Sequence, residues 1–509
     1  MALELQAHHP TYDERSPDWE IVADCYAGER AVKAKGTTYL PSTSGMRDPQ
    51  TNQLTAEGRL AYDAYKMRAV FHDFVRQAVT GLVGVVHRKP PVVNVPEALK
   101  PMVASMTIAG ESLEILWQRI TEQQLVAGHG GLLVDVPDGV PVSEATPYVA
   151  LYSAASILNW NAGARRQGRQ ALQLVVLDET SARQGDDLTW ASVTQIRVLA
   201  LGAVATKLGG EPDAETVIAP NDYQVAVAEP NDTGKLVLGE FKAPSIGALS
   251  LDQIPFVAFN TNDTVMEPCT PPLLGLALLA LAIYRAEADY RQQLHMQGQD
   301  TLKRIGATPD PVTGLTPEVR TGAGAVIDLN LGGDAEFIGI SSSGLSEQRS
   351  ALENDKAQAS THIVELLDTG AGEAESGEAL RVRVSARTAK LSSMQLTAAA
   401  TIRDCLVLGG RWLSLPQAAL DAIEVIPNLD FADDIADPQT VNVLVEAKLK
   451  GAPITWRMVH DWMRKHELTD KSFEETLEEM AAEETDAATG KTGVDIDPAA
   501  SPKPIGAAA

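Results

Sequence analysis

The stretch that most restricts the fold begins at Pro271-Pro272. It runs apolar from Leu273 to Tyr284 and then turns polar as RAEADYRQQLHMQGQD. Proline suits the first turn of a helix, so a helix is expected from there to about Gln299. Roughly 27 residues at 1.5 Å each give about 40 Å. The apolar half must be covered on nearly every side, whereas the polar half cannot be. Such a helix is buried at one end and enters a different environment at the other. Its apolar run falls short of the roughly 20 residues needed to cross a bilayer, so no membrane partner is expected.

A Gly- and Pro-rich segment at 300–340 follows, with β-like runs at Ala325-Val326-Ile327 and Phe337-Ile338-Gly339-Ile340. A second long helix is expected from about Ser346 to Leu367, so a small β module sits between two helices. Upstream, residues 1–55 are polar, with turn clusters PSTSG and RDPQTN, and no element is assigned there. Met67, Phe71, Phe74, Ala78 and Leu82 recur at helical spacing, which predicts one helix from Arg59 to Val83. A further helix is predicted over about Glu111 to Ala127, stopped by Gly128.

Beyond Gly128 the period changes to that of strands. Leu132–Val136, Tyr148–Tyr152 and Leu172–Leu177 are short β-rich runs, with more at about 194–201, 223–228, 235–241 and 256–259. No helical spacer of crossover length separates the later ones. Residues 130–260 therefore read as α+β with a mostly antiparallel sheet.

After the second long helix, 369–379 (TGAGEAESGEA) reads as an acidic loop, leading into a basic helix with Arg381, Arg383, Arg387 and Lys390 that continues to about Trp412. An acidic linker precedes helices expected at 438–450 and 455–480. The Ala-, Gly- and Pro-rich tail from Ala487 is expected to be disordered.

The net charge of −26 over 509 residues repels phosphate. It argues against a protein that grips nucleic acid by releasing counterions, but not against one that surrounds a mobile duplex. Cys25, Cys269 and Cys405 are widely spaced, with no metal-ligand or disulfide pattern, and suit a reducing compartment. The N-terminus lacks the basic and apolar regions of a signal peptide, so a soluble, cytosolic product is expected.

Two strings look catalytic. Leu174-Val175-Val176-Leu177-Asp178-Glu179 has the form of a Walker B strand. Its candidate partner, Thr485-Asp486-Ala487-Ala488-Thr489-Gly490-Lys491-Thr492, has threonine where the phosphate loop needs glycine, and lies in an acidic tail. His129-Gly130-Gly131 resembles an oxyanion-hole loop, but the chain has no G-x-S-x-G elbow. The expected role of His129 is packing at a helix–strand junction. His460 and His466 fall on different helix faces, so neither a metal nor another cofactor is expected, and no catalytic residue is assigned.

Several blocks resemble, in order, a group of bacteriophage portal proteins usually filed under a domain of unknown function. They are Tyr62-x-x-Tyr65-Lys66-x-Arg68-Ala69 with Gly81-Leu82-Val83-Gly84; Gly128-His129-Gly130-Gly131-Leu132-Leu133-Val134-Asp135; and Ile157-Leu158-Asn159-Trp160. Then come Ile254-Pro255-Phe256-Val257, Pro271-Pro272-Leu273-Leu274-Gly275-Leu276-Ala277, and Glu375-Ser376-Gly377-Glu378-Ala379-Leu380.

The resemblance implies a virion protein that forms a closed ring, usually of twelve subunits, and is not an enzyme. Its regions would be a wing (1–270), a stem helix (271–299), a clip (300–340) and a second stem helix (341–367). A tunnel loop and wing helix (368–430), a helical crown (431–486) and a disordered tail (487–509) would follow. Implied partners are a terminase motor, the major capsid protein, head-completion adaptors and double-stranded DNA passing without sequence specificity. Glu373, Glu375 and Glu378 on the loop, and Arg381, Arg383, Arg387 and Lys390 behind it, become DNA-channel candidates; the plainer role of the basic residues is to pair with acidic segments within or between subunits. Other readings are a hydrolase around His129 and Asp135, or another head-completion or structural capsid protein.

Overall fold

The computed structural model describes residues 4–137, 145–166, 169–184, 188–209, 219–231, 233–245, 250–297, 301–309, 314–316, 327, 329–338, 344–367, 377–429 and 431, with parts of 445–477. It divides into two compact units, Met1–Phe431 and Ala432–Ala509.

The N-terminal stretch left unassigned above is helical: α1 spans Pro10–Ala27 and α2 spans Glu29–Ala34. Pro10 begins α1, the His9 ring accepts a hydrogen bond from the Thr11 amide, and Gly28 at φ +93° ends it. Only Trp19, Val22 and Cys25 are buried, a stripe too narrow to stand out in a polar sequence.

The single helix expected over Arg59 to Val83 is two, α3 (Ala56–Arg68) and α4 (Phe74–Val86). The chain turns extended at Ala69, and the break buries Ala69 and Phe71. The Phe71 ring meets Tyr284 edge-on at 6.0 Å, while Tyr65 donates a hydrogen bond to Asp289. These contacts outweigh the helical period, and Met67, predicted on the apolar face, is 73% exposed.

Short β1 (Val92–Asn94) and α5 (Lys100–Ala104) precede α6 (Leu113–Val126), which ends as expected at Gly128, φ +68°. Then come β2 (His129–Asp135), β3 (Tyr148–Ser153), β4 (Ile157–Arg166), β5 (Arg169–Asp178), β6 (Ser181–Gln184), β7 (Trp190–Val193) and β8 (Ile196–Leu201). A helix α7 (Gly202–Gly209) leads to β9 (Tyr223–Pro230), β10 (Leu236–Leu238) and β11 (Phe256–Asn260). The sheets are β11-β2-β3 and β10-β9-β8-β5-β4, and every described pairing in them is antiparallel. The mixed helix and antiparallel sheet make the fold α+β, as expected.

The C-terminal part of this unit holds α8 (Leu274–Gln297), β12 (Thr301–Ala307), β13 (Leu329–Ile338), α9 (Leu345–Leu367), α10 (Gly377–Trp412), α11 (Gln417–Asp421) and β14 (Glu424–Ile426), which pairs with β1. One core gathers both sheets, α6 and the end of α10 around Trp117, Phe259 and Trp412. The other joins α1, α3, α4, α8 and α9 around Leu82, Ile283 and Tyr284. Strand β2 is buried throughout, so its apolar run lacks the alternation of a half-exposed strand. The Trp412 indole N–H donates to the Val134 carbonyl at 3.2 Å, fixing the end of α10 to β2.

In the second unit, α12 (Trp456–Lys465) is described. The helix expected over 455–480 does not run unbroken. A reciprocal capping box restarts it: the Ser472 amide donates to the Glu475 carboxylate, and the Glu475 amide donates to the Ser472 hydroxyl. Residues 466–470, with His466, lie outside the described residues. No described helix is long and apolar enough to cross a membrane.

Candidate functional site

Helices α8 and α9 form an antiparallel hairpin whose free end carries the β12–β13 ribbon. The first half of α8 is buried through Leu276, Ala277, Ala280, Leu281, Ile283 and Tyr284, and burial fades after Ala288. Helix α9 returns along it on a narrow stripe, Leu352, Ala359 and Ile363. Between them lies one buried carboxylate. Glu287, 3% exposed at its side chain, accepts from Arg291 one turn on at 2.5 Å and from Lys356 of α9 at 2.7 Å. Burial alone would raise the Glu287 carboxyl, but these two cations outweigh it and hold it below the ordinary range. The charge switch along α8 is therefore where the second helix is tied on.

Strands β12 and β13 pair antiparallel from Thr301↔Ile338, with a bulge between Ile305 and Ala307 where Gly306 sits at φ +69°. None of the ribbon residues whose burial is described is buried, and Leu331 is fully exposed. A lone two-stranded ribbon is marginal in water, so this one suits a place where something else covers it. A β module thus lies within 300–340, but its strands are not the expected ones: Thr301–Ala307 was not anticipated, Ile327 is outside any strand, and Ala325, Val326, Gly339 and Ile340 lie outside the described residues.

The channel candidates are less fully placed. Glu373 and Glu375 lie outside the described residues. Glu378 was expected on a loop but belongs to α10, which begins at Gly377. A carboxylate in the first turn favours the positive end of the helix dipole, and Ala379-Leu380 propagate a helix well. Arg381, Arg383 and Arg387 follow on the same helix, where 383, 387 and 390 repeat at i, i+4 and i+7 and 381 falls off that row. Lys390 is exposed.

The catalytic-looking strings resolve into packing. His129 is fully buried, between the Trp19 ring at 6.4 Å and the Trp160 ring at 6.3 Å, and neither ring nitrogen makes a well-formed hydrogen bond. Burial drives its pKa down to about 4, against the Phe259 carbonyl, which favours the proton. His129 and Asp135 stand at opposite ends of β2, about 20 Å apart at 3.3 Å per residue, so they cannot act on one substrate. Gly130 and Gly131 have a steric reason: a Cβ there would lie 2.5 Å from the Phe259 ring and 2.1 Å from that of Phe256.

At the other strand end, Arg197 lies 2.9 Å from Asp135 and 2.8 Å from Glu179, which also accepts from the Tyr152 hydroxyl. Asp178 accepts from the Thr180 amide at 2.8 Å. The acidic pair of the Walker-like strand therefore closes a turn and ties the two sheets together. Its candidate partner at 485–492 lies outside the described residues. Among the described residues no group of His, Cys, Asp and Glu could hold a metal ion.

Two features escaped the sequence reading. Strands β6 and β7 continue the β5–β8 ladder in unbroken register, from Asp178↔Ile196 to Gln184↔Trp190, past the strands that flank it. A cleft of about 630 Å³ opens at the other end of the same sheet, beside the last turns of α10. Alternation marks neither, because one is exposed on both faces and the other is assembled from distant segments.

A family model described as a domain of unknown function, DUF4055, matches residues 272–413, which begin just before α8 and end just after α10. No curated protein matches. Among solved structures, the chain is similar to one from the neck of a native GTA particle computed with C12 symmetry, at 12% identity and TM-score 0.37, covering 77% of this chain and 89% of that one. It is also similar to one from the neck of an empty GTA particle computed with C6 symmetry, at 14% identity and TM-score 0.38, covering 79% and 91%.

Proposed function

We propose that the chain is a ring-forming portal subunit of a tailed-phage-type particle, through which duplex DNA enters and leaves the capsid. The observation that carries this reading is the helical hairpin α8–α9, rooted in the core at one end and tipped by an uncovered β ribbon at the other. The ordered sequence blocks and the family match over α8–α10 support it.

The mechanism is mechanical. Copies set about one axis bring their hairpins together as a stem, with the ribbons forming a clip against docking proteins. The body built on the two sheets forms the wing, and the second unit the crown. A net charge of −26 per subunit repels phosphate and keeps the duplex mobile. Glu373, Glu375 and Glu378 keep the tunnel lip hydrated, while Arg381, Arg383, Arg387 and Lys390 touch passing phosphates or pair with acidic neighbours. A terminase motor supplies the ATP chemistry, and the major capsid protein and head-completion adaptors are the other partners in the virion.

Negative-stain imaging of the purified chain tests this. Closed rings with a central hole, near twelvefold, are expected. Monomers or small oligomers at every concentration would overturn it.

A further inference from the structure

Among the described residues, nothing covers the arm formed by β6 and β7. It prolongs the β5–β8 ladder beyond the last flanking pairs, Ile157↔Leu177 on one side and Ile196↔Ala228 on the other. Its residues are exposed except for Val193, which is half-buried, and Arg183 pins its base to Glu229 at 3.2 Å. Near its tip, Trp190 is 67% exposed and Leu188 75%. Leu188 also takes φ +64°, unfavourable for a residue with a Cβ. An exposed tryptophan beside an exposed leucine on a protruding arm has the composition of an interface anchor.

The cleft lies at the opposite end of the same sheet. Leu172 of β5 marks one wall. Val265 and Met266 form another, and Arg403, Val407 and Arg411, one helical turn apart on α10, form a third. At about 630 Å³ it falls in the range that takes a drug-sized group, ample for an indole and a leucine side chain. The lining is mixed: Asp404 and Asp421 stand beside the two arginines, while Val407, Leu408 and Leu420 make an apolar strip, and a guanidinium next to such a strip suits an aromatic face. From Leu172 to Gln184 the ribbon spans on the order of 40 Å, pointing away from the cleft, so the arm cannot fold back into its own chain's cleft.

We propose that the arm of one copy seats in the cleft of the next, with Trp190 and Leu188 entering between Val407, Val265 and Met266. A knob and a hole at opposite ends of one sheet make a head-to-tail contact, the kind that closes into a ring when the rotation between copies permits. The proposal rests on the ring reading above and names the contact that builds the ring.

The test uses the full-length chain. Mass photometry over a dilution series gives the concentration at which rings dissociate. Trp190→Ala and, separately, Val265→Arg are expected to raise it at least about tenfold, with melting by circular dichroism unchanged. In a Cys269→Ser background, Leu188→Cys with Val265→Cys is expected to give a disulfide-linked ladder of multimers under mild oxidation, absent with either cysteine alone. Wild-type rings that persist in both apolar variants and give no ladder would overturn the arm–cleft contact and leave the ring reading intact. A ladder that stops at dimers would overturn the head-to-tail arrangement. A wild-type chain that never forms rings would sink the ring reading, and this contact with it.

Discussion

The Glu287 carboxylate of α8 and the Lys356 ammonium of α9 lie 2.7 Å apart, with the carboxylate side chain 3% exposed. Among the described residues, a buried charge here joins the apolar stripe in holding the two helices together. Glu287→Ala leaves both cations without their partner and is expected to cost about 3 kcal/mol in urea unfolding. Because its pKa is held below the ordinary value, the carboxylate's contribution is full above about pH 4.5 and is lost as pH falls through the depressed value. An acid limb in the wild-type stability profile that is weaker in Glu287→Gln would bear this out.

Two histidines, His129 buried and His87 half-buried, give a second pH dependence. His129 and His87 are both driven to about 4 by burial, so the unfolded chain binds more protons than the folded one between about pH 6.5 and 4. Stability should therefore fall as pH falls through that window, by up to about 3 kcal/mol per histidine. When unfolding free energy is plotted against pH, His129→Leu and His87→Leu should each flatten the slope between about pH 6.5 and 4.5, and the double substitution should flatten it further, leaving the remainder to His72 and the carboxylates.

The paired glycines of β2 make a geometric prediction. Gly131→Ala puts a Cβ against the Phe256 ring and should destabilise by about 1–3 kcal/mol. Phe256→Leu in the same chain should recover part of that loss, a coupling a double-mutant cycle would measure. Simple additivity would mean that the ring is not what keeps this position small.

For the proposed channel, Arg381→Ala with Arg383→Ala separates phosphate contact from ion pairing. Rings that assemble normally but package DNA poorly would support contact with the duplex. Loss of assembly without any packaging-specific defect would assign these arginines to subunit pairing instead. Replacing Glu373, Glu375 and Glu378 with alanine should slow packaging or impair DNA retention, and unchanged packaging and retention would refute their role at the tunnel lip.

Long elements with one strong signal were legible in the sequence. Helix α8 followed from Pro272 and the apolar run, α6 from its stripe and Gly128, and the central strands from their β-branched runs. What sequence missed depended on distant partners. The break between α3 and α4 exists because Phe71 meets Tyr284, more than 200 positions away. Helix α1 shows only three buried residues, so its periodicity is faint. The early start of α10 is a local effect of helix propensity that an acidic, glycine-containing string obscured. His129 packs as expected, but the reason lay in Trp19 and Trp160, and Gly130 and Gly131 lie within β2 because Phe259 and Phe256 leave no room for a Cβ; no spacing rule joins these residues.

Helix α10 links the basic stretch to the central sheet. Its 36 residues make a rod of about 54 Å, with the basic stretch in its opening turns and Trp412 fastened to β2 at its far end. A stiff strut anchored this way does not absorb a displacement; it carries it. In the proposed channel, a tug by the duplex at the basic end would reach the central sheet as a pull on Val134, in the strand whose other end packs His129 against Trp19. Under that reading the subunit would carry its own gauge, with strain at the lip registering in a strand buried along its whole length.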